Sequence, residues 1–359
     1  MVERFEIGRG LDVPISGEPS ATIEAKSVSQ VAVVADDYIG MRPTLLVSEG
    51  DTVELGQPVF ADKKTEGVVY NAPAAGKVHS INRAAKRRFH SLIIEVEGDA
   101  ERSFASHDLG ELASLSRQQV VAQLLDAGLW SSFRNRPFSR VPLPTTVPQA
   151  IFVNAMDTNP LAADPATIIS ERQEAFEAGL EIMGHLTDGP TFVCRRPNSG
   201  IPGEAIRGVR IGEFDGPHPA GLAGTHMHFL KPATAGRVNW HLNYQDAIAI
   251  GHLFLTGKID NSRIVSMAGP SVKNPRLIKT QVGASLSDLL DGELIDGNNR
   301  VVSGSVLCGR RSEDPTGFLG RYHLQISCLP EGDTREFLGW QMPGFNKFSV
   351  TRAFAAAWS

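Results

Sequence analysis

The sequence predicts an α+β chain of several domains: an all-β unit of short strands, a doubly wound α/β unit, and a small strand–strand–helix unit near the end. Three observations carry this. Residues 44–60, TLLVSEGDTVELGQPVF, alternate short β-branched stretches with the turn signals EGD and LGQ. Between about residue 110 and residue 256, apolar residues at helical spacing alternate with short apolar runs of strand length. From Gly257 to Leu294 the order reads strand, turn, strand, helix. The boundaries that follow are 1–104, 105–256 and 257–330, with a final segment 331–359.

Composition sets the limits. A chain of 359 residues, 42% hydrophobic and 21% charged, is an ordinary globular protein with room for two or three cores. A formal charge of -5 argues against nucleic acid as a partner, because phosphate neutralisation needs a basic face. Cys194, Cys308 and Cys328 are scattered without a CxxC pair, so no zinc site, iron–sulfur cluster or disulfide framework is expected, and a reducing cytoplasm is the natural setting. No run of about 18 apolar residues occurs and the start lacks a signal-peptide pattern, so the chain is expected neither to span a membrane nor to be exported.

In the first unit, EGDTVELGQPVFADKK followed by APAAGKVHSI resembles a biotinyl/lipoyl-type barrel-sandwich hybrid. Carrier domains of that type place a modified lysine at a turn, where this chain has Lys63 and Lys64. The two are either a carrier site or solvated turn lysines; ADKKT departs from the carrier pattern. Arg83, Lys86, Arg87, Arg88 and His90 form a basic cluster, read as a solvated hairpin or as a contact for an acidic partner or lipid headgroups.

In the middle unit, LGELASLSRQQVVAQLLDAG is expected to be one helical run ending at Gly128. QAIFVNAM, GPTFVCRR and AIRGVRIGEFDG read as strands and SERQEAFEAGLEIMGHL as a helix, giving a largely parallel sheet. Ligands of such sheets sit at the carboxyl ends of strands. Asp157 and Asn159 follow such an end, to meet a ligand or to cap the next helix. No glycine fingerprint for a dinucleotide is present; LWSSFRNRPFSRVP, residues 129–142, stands before the first strand and its side chains would fill that space. GTHMHFL is read as a strand whose His226 and His228 share a face; with His241 they would form a metal site, or all would be packed, hydrogen-bonded core histidines, which is the expectation. Asp246 is expected to be a structural partner. The third unit fits a β-grasp order, and the final run FSVTRAFAAAWS looks like the start of a helix.

RGLDVPISG, YIGMRPTLLVSEGD, DKKTEGVVYNAPAAGKVHSINR, SSFRNRPFSRVP, AMDTNP, GTHMHFL, WHLNYQDAIAIG, GPSVKNPRL, GASLSDLL and KFSVTR together resemble one family over nearly the whole chain. It is the A-subunit family of the Na⁺-translocating NADH:quinone oxidoreductase, itself similar to the C-subunit of the Rnf complex and the NADH- and FMN-binding subunit of complex I. The resemblance implies a biotinyl/lipoyl-like domain, a Rossmann-like domain, a β-grasp (SLBB-like) domain and the start of a C-terminal region, here shortened and leaving apolar surface near Phe354 and Trp358. Those more distant relatives carry a glycine-rich flavin loop where this chain has SSFRNRPFSR.

What the resemblance implies for function is a peripheral subunit on the cytoplasmic face of the bacterial inner membrane. Such a subunit would hold no cofactor covalently or tightly, lack catalysis in isolation, dock on a membrane subunit, among other partners of the complex, and bind ubiquinone. Phe133, Arg134, Arg136, Phe138 and Arg140 are the expected floor of a quinone pocket, since rings stack on phenylalanine and guanidinium faces and arginine donates to quinone oxygens; a clamp on acidic loops or a partner is the other reading. Tyr38, Met41, Asp157 and Asn159 complete the candidates. Competing readings are a flavin- or NADH-binding dehydrogenase subunit of Rnf or complex I type, and a carrier domain protein.

Overall fold

The structure, a computed structural model, describes residues 2–333, 335–345, 347 and 354–355. Strands β1 (Val2–Glu6) and β2 (Ser20–Ala25) open the chain, and neither joins the barrel-like unit. β1 lies parallel to a strand of the α/β sheet, with Val2 opposite Ile211; β2 lies parallel to the edge of the third sheet, with Ile23 opposite Leu277. Between them the chain is tied down by hydrogen bonds from the Leu11 amide to His218 and from the Gly269 amide to Gly17. The span 1–104 therefore supplies strands to the α/β sheet and the third sheet as well as to the barrel-like unit.

The barrel-like unit comprises β3 (Gln30–Val34), β4 (Pro43–Leu45), β5 (Thr52–Val53), β6 (Pro58–Asp62), β7 (Val69–Asn71), β8 (Gly76–Arg83) and β9 (Phe89–Val96). They form two antiparallel sheets, in the orders β3-β9-β8-β5 and β4-β6-β7, around Val31, Val59, Phe60, Leu92 and Ile94. Gly76 is required at its position: at φ 152° a Cβ there would lie 1.9 Å from the Glu95 carbonyl oxygen. Lys63 and Lys64 are exposed in the β6–β7 turn, and Lys86 and Arg87 cap the β8–β9 hairpin.

The expected single helix over 109–128 is two pieces. A 3-10 turn at Leu109–Ser114 stops, and α1 (Arg117–Asp126) starts afresh because Ser116 and Gln119 form a reciprocal capping box. Gly128 follows in the left-handed conformation, as expected of a helix stop.

The α/β unit contains β10 (Arg134–Arg136), β11 (Ile151–Ala155), α2 (Pro165–Ser170), α3 (Gln173–Gly184), β12 (Thr191–Arg195), β13 (Val209–Asp215), α4 (Ala223–Leu230), β14 (Asn239–Asn243) and α5 (Tyr244–Thr256). Sheet order is β1-β13-β12-β11-β14-β10, parallel except for β10. Alternate residues face opposite layers. Ile151, Val153 and Val193 join the core of α3 and α5, while Phe152, Phe192 and Phe214 pack with Met227 of α4. The chain steps outward from β11 to β12 and β13, then returns across β11 to β14. The strand order thus reverses between β11 and β14, where ligands of such sheets bind.

The third unit comprises β15 (Ser262–Ala268), β16 (Arg276–Gln281), α6 (Leu286–Leu290), β17 (Asn299–Ser303), β18 (Arg310–Arg311) and β19 (Gln325–Pro330), in the sheet order β18-β17-β19-β15-β16-β2. β15 pairs parallel to β19 and antiparallel to β16, the arrangement expected of a β-grasp. Leu286 and Leu289 of α6 are buried in its core. Trp358 and most of FSVTRAFAAAWS lie outside the described residues; Phe354 is half-buried. Among the described residues no helix is long and apolar enough to cross a membrane.

Candidate functional site

Residues 129–142 leave α1 as a 3-10 turn and become the antiparallel edge strand β10, so no helix N-terminus follows them to cradle a phosphate. Phe133 is fully buried with Trp130 and Trp240, its ring centroid 5.7 Å from each. It lines no cleft, contrary to the expectation that it floors a quinone pocket; on a strand the residue preceding Arg134 points to the opposite face, and here that face meets the core. Ser131 and Ser132 are buried too. Tyr322 donates to the Ser131 carbonyl at 2.8 Å, and Arg321 donates to the Ser132 hydroxyl at 2.8 Å.

Arg134 and Arg136 share the other face of β10. Arg134 stands opposite His241 of β14, its guanidinium 4.3 Å from the Tyr322 ring centroid, and Arg136 Nε donates to His241 Nε2 at 3.3 Å. Among the described residues neither arginine, nor Arg140, takes part in an ion pair. Arg134, Arg136, Asp157 and Asn159 line one cleft of roughly 500 Å³, closed on its far side by Ser305, Cys308 and Tyr322 of the third unit. Asp157 accepts from the Asn159 backbone at 2.8 Å and from its side chain at 2.7 Å. Burial pushes its carboxyl up, against these bonds and the charges of His218 and Arg196. The cap of α2 is Asp164, so Asp157 and Asn159 do not cap that helix.

Pro137 turns the chain away from the sheet. Phe138 and Arg140 therefore reach a second cleft, about 260 Å³, against Tyr38 and Met41 of the barrel unit. Phe138 is 54% exposed there, and Ile39 and Leu143 expose further apolar surface beside it. Four of the nine candidates thus line the first cleft and four the second, while Phe133 lies in the core alone; Asp157 and Asn159 also border a larger cleft against Pro14, Thr167 and Arg196, and Tyr38 is itself a buried core residue.

The histidines form no metal site: among the described residues no group of three or more potential ligands comes together. GTHMHFL is α4, not a strand, so His226 and His228 diverge by the helical turn; His226 is fully buried and donates to the Ala220 carbonyl at 2.8 Å, while His228 is exposed. Burial lowers the His226 and His323 rings to about 4, and burial, then Arg134 and Arg136, hold His241 well below the ordinary imidazole range. Unfolded, these rings titrate near 6.5. Between those values the unfolded chain binds more protons, so their contribution is full above about 6.5 and is lost as pH falls toward 4. The melting temperature is expected to be lower near pH 5 than near pH 7, and equal melting curves would contradict buried neutral imidazoles.

Asp246 of α5 is a structural partner as expected, fully buried between Arg263 and Arg321. What escaped the sequence is which residues it joins: Arg310 and the Arg321 amide both donate to Asp37 of the barrel unit, at 2.6 and 2.9 Å. These partners lie from 17 to 284 residues apart, and no local pattern signals them.

Residues 5–97 match the NqrA N-terminal barrel-sandwich hybrid domain, 115–259 the NqrA second alpha/beta domain, and 264–314 the NQRA C-terminal domain of SLBB type. The A-subunit of the Na(+)-translocating NADH-quinone reductase of Vibrio anguillarum is 54% identical over 349 residues, which are 97% of this chain and 78% of that protein. The chain belongs to this A-subunit family. The corresponding subunit of Pasteurella multocida is 50% identical over 347 residues, 96% of this chain and 78% of that one, and the Klebsiella pneumoniae subunit is 51% identical over 349 residues, 97% of this chain and 78% of its own length. Among solved structures, an NAD+-reducing [NiFe]-hydrogenase chain aligns at 14% identity and TM-score 0.41, covering 65% of this chain and 52% of its own. The family is that of a subunit of an oxidoreductase complex, and the three matched regions hold the barrel-like unit, most of the α/β unit and most of the third unit, although the first also takes in β2 and part of β1, which pair with the other two sheets.

Proposed function

We propose that the chain works as a peripheral subunit on the cytoplasmic face of a bacterial inner membrane, docking on a membrane subunit of the complex and binding quinone in the cleft of Tyr38, Met41, Phe138 and Arg140. The observation that carries this is the half-exposed Phe138 ring beside an Arg140 guanidinium that is in no ion pair among the described residues. A quinone head group is planar with two acceptor oxygens. Phe138 and Met41 offer it apolar faces and Arg140 a donor. Exposed Ile39 and Leu143 around the cleft suit contact with a partner subunit or an isoprenoid tail. Redox chemistry then belongs to other subunits, and the isolated chain contributes binding and position.

Calorimetric titration with a water-soluble short-chain quinone tests this. Phe138→Ala and Arg140→Ala are each expected to weaken binding by about 1–2 kcal/mol, the size of a lost stacked ring or charge-assisted hydrogen bond. Neither side chain is part of the core, so thermal stability should barely change. Wild-type affinity in both variants would remove the quinone from this cleft.

A further inference from the structure

We infer that the other cleft, between the carboxyl ends of β11 and β14 and the Ser305–Cys308 loop, is a separate binding site for a small phosphate-bearing ligand. Arg134 and Arg136 line it and belong to no ion pair among the described residues, although both are half-buried. A guanidinium withdrawn from water without a counter-charge is costly, and an anion in the cleft supplies that charge. The Arg134 Nε is enclosed with no hydrogen-bond partner. Arg136 spends its Nε on a neutral histidine, leaving its two terminal amino groups for a fork of parallel bonds.

Two further features of the same cleft agree. α4 begins with no side-chain cap, and Ala223, Gly224 and Thr225 of its first turn line the wall, which brings the positive end of the helix to the cleft. Asn154 is also on the wall, its amide nitrogen donating to the Gly221 carbonyl at 3.0 Å and its Oδ1 buried without a donor. A dianion held between the two arginines describes a phosphate monoester or diphosphate, and roughly 500 Å³ holds a ligand of that size. Asp157 is the one carboxylate on the wall; its Oδ1 is occupied by two bonds from Asn159. The site lies where the strand order reverses, the place such sheets present to ligands.

The probe is inorganic pyrophosphate, titrated calorimetrically into the full chain at constant ionic strength. Saturable one-to-one binding is expected. Arg136→Gln and Arg134→Gln should each weaken it about tenfold or more, and Arg136→Lys, which keeps charge but loses the fork, should fall between. Arg83→Gln, a charge-matched change on the distant β8–β9 hairpin, should leave it unaltered. Amide resonances of Ala223 and Gly224 should shift on titration, a readout that remains if an arginine variant folds poorly. Phe138→Ala should retain pyrophosphate binding whatever it does to quinone, so the two sites fail independently. No saturable heat or shift at millimolar pyrophosphate, or equal weakening by Arg83→Gln, overturns the site.

Discussion

Asp246→Ala is expected to cost about 3–5 kcal/mol of stability, because it strands two buried guanidiniums without their counter-charge. Asp246 is fully buried; the side chains of Arg263 and Arg321 are 3% and 8% exposed. Its carboxylate accepts from Arg321 at 2.8 Å, from Arg263, and from Asn243 at 2.7 Å. Arg321 continues the network to the Ser132 hydroxyl, and its backbone amide reaches Asp37 of the barrel unit. One carboxylate therefore joins α5 to the third unit, and through Arg321 to the barrel. Loss of it should also uncouple the units, splitting a single denaturant transition into separate ones. Asp246→Asn keeps one acceptor oxygen and should be milder than alanine. Chemical denaturation followed by circular dichroism measures both, and a loss below about 1 kcal/mol for Asp246→Ala would mean that water already reaches the arginines.

What the sequence disclosed was local. The turns EGD and LGQ, the apolar runs at 151–155 and 191–195, and the strand–turn–strand–helix order after Gly257 all name their elements, because period and turn chemistry act within a few residues. The capping box that divides 109–128 was equally local: S-x-x-Q at 116–119 was present and was overridden by the apolar period. GTHMHFL misleads because so short a run with alternating apolar positions fits either period, and only burial of Met227 against Phe152 and Phe214 decides for α4. The sheet membership of β1 and β2 depends on pairings across more than 200 residues, which no window contains. The two-cleft division lay halfway between. Period 2 puts Arg134 and Arg136 together, whereas the destination of Phe138 and Arg140 depends on where Gly40 of the barrel unit comes to rest.

Phe133→Ala separates the two roles within one segment. Its ring is fully buried in the cluster of Trp130 and Trp240, whose own centroids are 5.3 Å apart, and alanine there leaves a cavity that two large indoles cannot close. The expected cost is about 3–5 kcal/mol, the range for truncating a buried phenylalanine. Binding should behave oppositely: Phe133 touches neither cleft, so quinone affinity, referred to the folded fraction, should equal that of the wild type. Five residues along, Phe138→Ala should reverse the pattern, with stability kept and affinity reduced. Thermal melts run beside quinone titrations of both variants decide the matter. If Phe133→Ala instead loses affinity at preserved stability, the ring reaches the ligand and the segment must be read as a single pocket; if both variants lose only stability, residues 133–140 are scaffold and the quinone cleft lies elsewhere.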